Sequence, residues 1–134
     1  MTRFAIDCGV LLGIVDGAIE VHPDHQLVSA SLVRSQALDT LYTAVRSGEL
    51  DRQVGLERLE RVAEIKVRLL GDRVSRSVAW KLADQLGLEH TDRAEILAVA
   101  RLQADALVAL DDELVRLADG VVPSATVAAL ARPA

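Results

Sequence analysis

Phe4-Ala5-Ile6-Asp7, near the start of the chain, and Ala106-Leu107-Val108-Ala109-Leu110-Asp111, near its end, share one grammar: an unbroken apolar run that stops at an aspartate. The first is too short for a helix and reads as a strand buried on both faces. The second reads the same way. In open parallel sheets, ligands bind outside the carboxyl ends of the strands. If these two strands are neighbours, Asp7 and Asp111 project into one crevice. Oxygen ligands gathered there suit Mg2+ or Mn2+. The competing reading is that each aspartate caps the helix that follows it and complements its dipole.

Working outward, helical and extended patterns alternate. Residues 8–15 read as a short helix closed by Asp16-Gly17, and Leu27 and Val28 as an extended segment before a cap at Ser31. Leu38, Leu41, Tyr42 and Val45 recur at helical spacing until Ser47-Gly48. Asp51 then caps a helix with Leu56, Leu59, Val62 and Ala63 on its apolar stripe. Residues 65–70 alternate like a strand and stop at Gly71-Asp72. Val74, Val78, Leu82 and Leu86 follow at steps of four, with Gly87 where a helix C-cap belongs. Thr91 caps the helix carrying Ile96, Leu97 and Ala100. Asp111-Asp112-Glu113 opens another, Val121-Val122 reads as a last strand, and Ser124 as the cap of a terminal helix. Strands alternating with helices predict βαβ units: an α/β fold, a three-layer α/β/α sandwich on a mainly parallel sheet.

The 134 residues suit a single domain, 1–134. The hydrophobic fraction, 51%, supports a sizeable core, built from Leu, Val, Ile and Ala because the aromatics are only Phe4, Tyr42 and Trp80. So few aromatics predict no stacking platform for single-stranded RNA. No apolar stretch approaches the roughly 20 residues of a membrane span, and the N-terminus lacks a secretory pattern. Cys8 is the lone cysteine, which suits a reducing compartment, so the expected address is cytoplasmic. The net charge of −5 gives no global basic field for nucleic acid. A nuclease built on clustered acids is nevertheless compatible with it.

Over nearly its full length the chain resembles the VapC-type PIN-domain ribonucleases, toxins of bacterial type II toxin–antitoxin pairs. The matching pieces are Phe4-Ala5-Ile6-Asp7, the stretch Leu27-Val28-Ser29-Ala30-Ser31-Leu32-Val33-Arg34-Ser35-Gln36, and Arg46-Ser47-Gly48-Glu49-Leu50. Leu86-Gly87-Leu88, residues 91–101 and Ala106-Leu107-Val108-Ala109-Leu110-Asp111 complete the series. The resemblance implies four acids around Mg2+ or Mn2+, whose activated water cleaves an RNA phosphodiester. It implies catalytic and metal-binding roles for Asp7 and Asp111. The other two acidic positions are substituted: Gln36 stands for a glutamate and Arg93 for an aspartate. Gly9 stands where the family favours a hydroxyl. Gln36 retains a carbonyl oxygen without charge, whereas Arg93 brings a permanent positive charge to a ligand position. Asp92, Glu95 and Asp112 lie nearby as compensating acids, although one helical step turns a side chain by about 100° and aims Asp92 elsewhere.

The expectation is therefore a VapC-like protein, ancestrally a Mg2+-dependent endoribonuclease, weakened or silenced at Gln36 and Arg93. Implied partners are an antitoxin-like protein, a second copy of the chain as a homodimer, RNA if the site is active, and no membrane. In such pairs an antitoxin arginine commonly enters the acidic site. Arg93 would supply that charge internally, pairing with Asp7 or Asp111, or else would extend to solvent. The alternative function is a non-catalytic interaction module on the same fold. A phosphoaspartate enzyme or receiver domain is disfavoured, because Gly9 and Cys8 stand where those folds place a second acid. His22-Pro23-Asp24-His25 and His90 read as solvated histidines rather than metal ligands, Cys8 as a small packed residue, and Arg52, Arg58 and Arg61 as a solvated helix face.

Overall fold

In the computed structural model, residues 1–133 are described. Four strands, β1 (Arg3–Ile6), β2 (Gln26–Ala30), β3 (Val67–Leu70) and β4 (Ala106–Val108), form one all-parallel sheet in the order β3-β2-β1-β4. Helices α1 (Cys8–Val15), α2 (Val33–Arg46), α3 (Arg52–Glu64), α4 (Arg73–Leu86), α5 (Asp92–Gln103), α6 (Asp112–Ala118) and α7 (Val127–Ala131) connect and cover them. The three-layer α/β/α sandwich read from the sequence is the observed architecture.

Alternation along the strands feeds two cores. Phe4, Ile6 and Leu27 point into a cluster with Val10 and Leu11 of α1, Val33, Ala37 and Leu41 of α2, and Leu130 of α7. Ala5, Val28 and Ala30 point the other way, onto Ala79 and Leu82 of α4 and the buried run of residues 96–100 in α5. Because α5 is buried on nearly every side, the segment after it must return directly into the sheet, and it does so as β4 beside β1.

Several local expectations change. The second acidic strand ends at Val108, not at Asp111, because Ala109 and Leu110 leave the ladder. Val121 and Val122 are not a strand: both amides bond to the Ala118 carbonyl, at 2.9 and 3.0 Å, closing the turn after α6. Ser124 does not cap a helix but makes a single parallel bridge to Leu107, and the α7 N-cap is Thr126. Ser31 is also displaced as a cap, by Leu32, which makes no side-chain bond, and Thr91 makes none either. Asp51 and Asp72 do cap α3 and α4 through backbone N–H groups, and Gly87 sits at φ 66°, the left-handed position a C-cap requires.

The apolar stripes are also rotated from the expected faces. On α2 the buried residues are Val33, Ala37 and Leu41, leaving Leu38 and Tyr42 more than half exposed. On α4 the buried residues are Ser75, Ala79, Leu82 and Ala83, while Val74 faces out. Small side chains let α4 lie close to α5, so packing favours Ser and Ala over Val at that contact. Trp80, on the outer face of α4, is 73% exposed. As the chain's one tryptophan it reports directly: emission should be water-like and readily quenched by acrylamide. A blue-shifted, protected spectrum would mean that this face of α4 is covered.

Candidate active site

β1 and β4 are hydrogen-bonded neighbours with Ile6 opposite Val108, so the chain segments carrying Asp7 and Asp111 leave the sheet side by side. Asp7 is 3% exposed, and both of its oxygens are engaged. Oδ1 accepts the Val10 amide at 2.9 Å, capping α1. Oδ2 accepts the Leu110 amide at 3.0 Å and the Asp111 amide at 2.9 Å. The helix-capping reading of this residue therefore holds through Oδ1, while Oδ2 fastens the segment that follows β4. The bonds from residues 110 and 111 also explain why the chain departs from the β4 ladder: two amides turn toward a carboxylate on the neighbouring strand.

Just behind this point, Ser29 Oγ donates to the Ile6 carbonyl at 2.6 Å in a fully buried position. It ties β2 to the residue preceding Asp7. Ser29→Ala should cost about 1–2 kcal/mol, since a buried acceptor loses its side-chain donor. Chemical denaturation checks this, and an unchanged midpoint would show that the tie contributes nothing.

Asp111 occupies the N-cap position of α6 but makes no capping bond with its side chain. Its Oδ2 instead accepts from Arg93 Nε at 2.7 Å, a salt bridge whose members are 40% (Arg93) and 39% (Asp111) exposed. The hydrogen bond to Asp111 raises the guanidinium pKa further, and the negative charges of Asp111, Asp92 and Glu113 act in the same direction. Of the two acids open to Arg93, it takes Asp111, while Asp7 is held by backbone amides. Part of its surface still meets water.

These side chains face a cleft of about 270 Å3 whose wall also includes Cys8, Gly9, Gln36 and Asp92. Gln36 Oε1 is shielded from solvent and has no hydrogen-bond partner among the described residues. Asp92 reaches the cleft wall despite the helical step that predicted otherwise. Glu95 and Asp112 are not part of it. The Glu95 carboxyl is pushed up by burial and by the charge of Asp92, with Arg76 opposing. The Cys8 thiol is also pushed up, mainly by burial, against a weak contact with Thr40 and reinforced by Asp7. That is the opposite of what a nucleophile requires. At Gly9, a Cβ would stand 3.1 Å from Leu110 Cβ. Glycine here lets α1 approach the segment that carries Asp111, a packing role invisible in the sequence.

A hard divalent cation does not fit this donor set. Asp7 spends both oxygens on backbone amides and Asp111 is paired with a permanently charged guanidinium, which leaves Asp92 and the neutral oxygen of Gln36 in the wall. Among the described residues no three His, Cys, Asp or Glu side chains converge closely enough to share an ion. His22 and His25 form no ion site either: His22 Nδ1 accepts the Asp24 amide, and His25 Nε2 donates to the Arg132 carbonyl. The sequence could not reveal the amides of Leu110 and Asp111 as partners of Asp7, because backbone donors carry no residue signature.

No protein-family model matches the chain, and no curated protein matches it. Among solved structures it is similar to PAE2754 from Pyrobaculum aerophilum, with a TM-score of 0.73 and 20% identity, over 97% of this chain and 93% of that one. At that identity the likeness is one of fold. No helix among the described residues is long and apolar enough to cross a membrane.

Proposed function

We propose that this chain is a VapC-like PIN-domain protein, of toxin type by descent, whose metal-dependent endoribonuclease chemistry is silenced by its own Arg93. The observation that carries this reading is the 2.7 Å contact between Arg93 Nε and Asp111 Oδ2, beside the buried Asp7 and the uncharged Gln36. A guanidinium in that place supplies the positive charge that a metal ion would otherwise bring, but it offers no open coordination position and activates no water. Within this reading Asp7 and Asp111 are the surviving metal-site acids, and Mg2+ or Mn2+ would be the cofactor only of a repaired site. The test is cleavage of a single-stranded RNA in Mn2+. The native chain should leave it intact, and a Gln36→Glu/Arg93→Asp variant should cut it. Metal-dependent cleavage by the native chain, abolished in Asp111→Ala, would overturn the proposal.

One observation favours the binding-module form of this reading. Between α2 and α3 an apolar groove is lined by Leu38, Tyr42 and Leu56, each at least half exposed, with Arg46 and Arg52 beside them. Apolar surface of this kind, edged by arginines, suits an amphipathic antitoxin-like segment with acidic flanks. Leu38→Asp/Leu56→Asp should abolish capture of such a peptide while leaving the fold intact. A second copy of the chain on the same groove would instead appear as a dimer in light scattering that this variant converts to monomer.

A further inference from the structure

At the end of the sheet opposite Asp7, a groove of about 750 Å3 wraps the amino-terminal ends of β1, β2 and β3. Ile14, Leu27 and Ile65 contribute apolar surface to it. Every ionisable side chain in its wall is a base: Arg3, Lys66 and Arg68, with His22 and His25. This is notable in a chain of net charge −5 that contains only two lysines.

The charges are not there to satisfy one another's partners. Lys66 and Arg68 make no side-chain hydrogen bond or ion pair among the described residues. Arg3 spends Nε on Gln26 Oε1 at 3.4 Å and Nη1 on the Gln103 carbonyl at 3.2 Å, which leaves Nη2. Two acids, Asp24 and Asp105, stand beside the groove's bases rather than in its wall. Asp24 lies 3.5 Å from His22 Nδ1, and Asp105 accepts the Arg3 backbone amide at 2.8 Å. His25 donates Nε2–H to a carbonyl, and its Nδ1 is buried without a partner. Lys66 and Arg68, which have no acid paired with them among the described residues, repel one another and the neighbouring bases unless an anion is bound among them.

We propose that this groove binds a small phosphomonoester carrying an organic body of about nucleotide size. Arg68, Lys66 and the remaining Nη2 of Arg3 offer positive charge and N–H donors of the kind that a terminal phosphate accepts. The apolar surface accepts the body, and the volume lies in the range of small-ligand sites, roughly 300–1,000 Å3. The phosphate belongs either to a free nucleotide or to the 5′ end of an RNA strand. The site is independent of the acidic cleft and of the function proposed for it.

Amide shifts in two-dimensional NMR and calorimetry, without metal, test it on the full chain. The probes are uridine 5′-monophosphate, uridine, inorganic phosphate, and one hexaribonucleotide with and without a 5′-phosphate. Uridine 5′-monophosphate should shift the amides of His22, Gln26, Lys66 and Arg68, and uridine should not. Lys66→Gln/Arg68→Gln, two exposed substitutions, should weaken binding by roughly tenfold or more while circular dichroism is unchanged. Tighter binding of the 5′-phosphorylated hexamer than of its 5′-hydroxyl form and of the mononucleotide assigns the phosphate to RNA. Equal or weaker binding assigns it to a free nucleotide. No binding at millimolar concentration, shifts elsewhere, undiminished binding by the variant, or inorganic phosphate binding as well as the mononucleotide would each overturn the proposal.

Discussion

Asp7→Ala should destabilise the protein by about 3–5 kcal/mol, while Asp111→Ala should change stability by less than about 1 kcal/mol. The two residues end similar apolar runs, yet their surroundings differ. Asp7 is buried and accepts three backbone amides, from Val10, Leu110 and Asp111. Removing it orphans all three, and each unsatisfied buried donor costs about 1–3 kcal/mol, partly relieved by water. The loss also uncaps α1 and unfastens the loop after β4. Asp111 is partly exposed, and among the described residues its carboxylate bonds only to Arg93, so its removal frees a guanidinium that water can solvate. With total stabilities near 5–15 kcal/mol, the first change approaches unfolding and the second does not. Urea titrations of both variants decide it: equal midpoints would show that Asp7 is a ligand-site residue with no structural duty.

This asymmetry bears on what a sequence can disclose. The strands and their parallel direction follow from the apolar runs and the helical patterns between them, whereas the meeting of Asp7 with Asp111 depended on β1 and β4 being neighbours, which the sheet order supplies. Asp51 and Gly87 were legible as caps because a short carboxylate or a left-handed residue has few other uses at a helix end, whereas Asp72, legible only as the stop of a strand, proves to cap α4 as well. The displaced features depend on distant partners. Val121 and Val122 have strand-like side chains, but their amides are claimed by Ala118. The buried faces of α2 and α4 are set by how closely neighbouring helices approach, which favours Ala37, Ser75 and Ala79 over Leu38 and Val74. In the site, the positive charge of Arg93 was visible in the sequence, whereas its choice of Asp111 over Asp7 was not. That choice follows from Asp7 having already spent its oxygens on backbone amides.

The same geometry makes Arg93 and Gln36 the positions with the greatest leverage on metal affinity. Gln36→Glu adds a charged ligand where an unpartnered amide oxygen now sits, and Arg93→Asp replaces a competing cation by a further acid. Changes in outer-shell partners alone alter metal affinity by about 10–100-fold. On the proposed reading, supplying two direct ligands should therefore strengthen Mn2+ binding by at least about 100-fold. Arg93→Gln, which removes the cation without supplying a ligand, should fall between. The decisive measurement is calorimetric titration of Mn2+ into the native chain and the Gln36→Glu/Arg93→Asp variant at equal concentration. Strong binding by the variant alone is the result expected if Arg93 holds the place of the metal. Equal, tight binding by the native chain would contradict it, and would mean that Arg93 yields Asp111 to a metal ion.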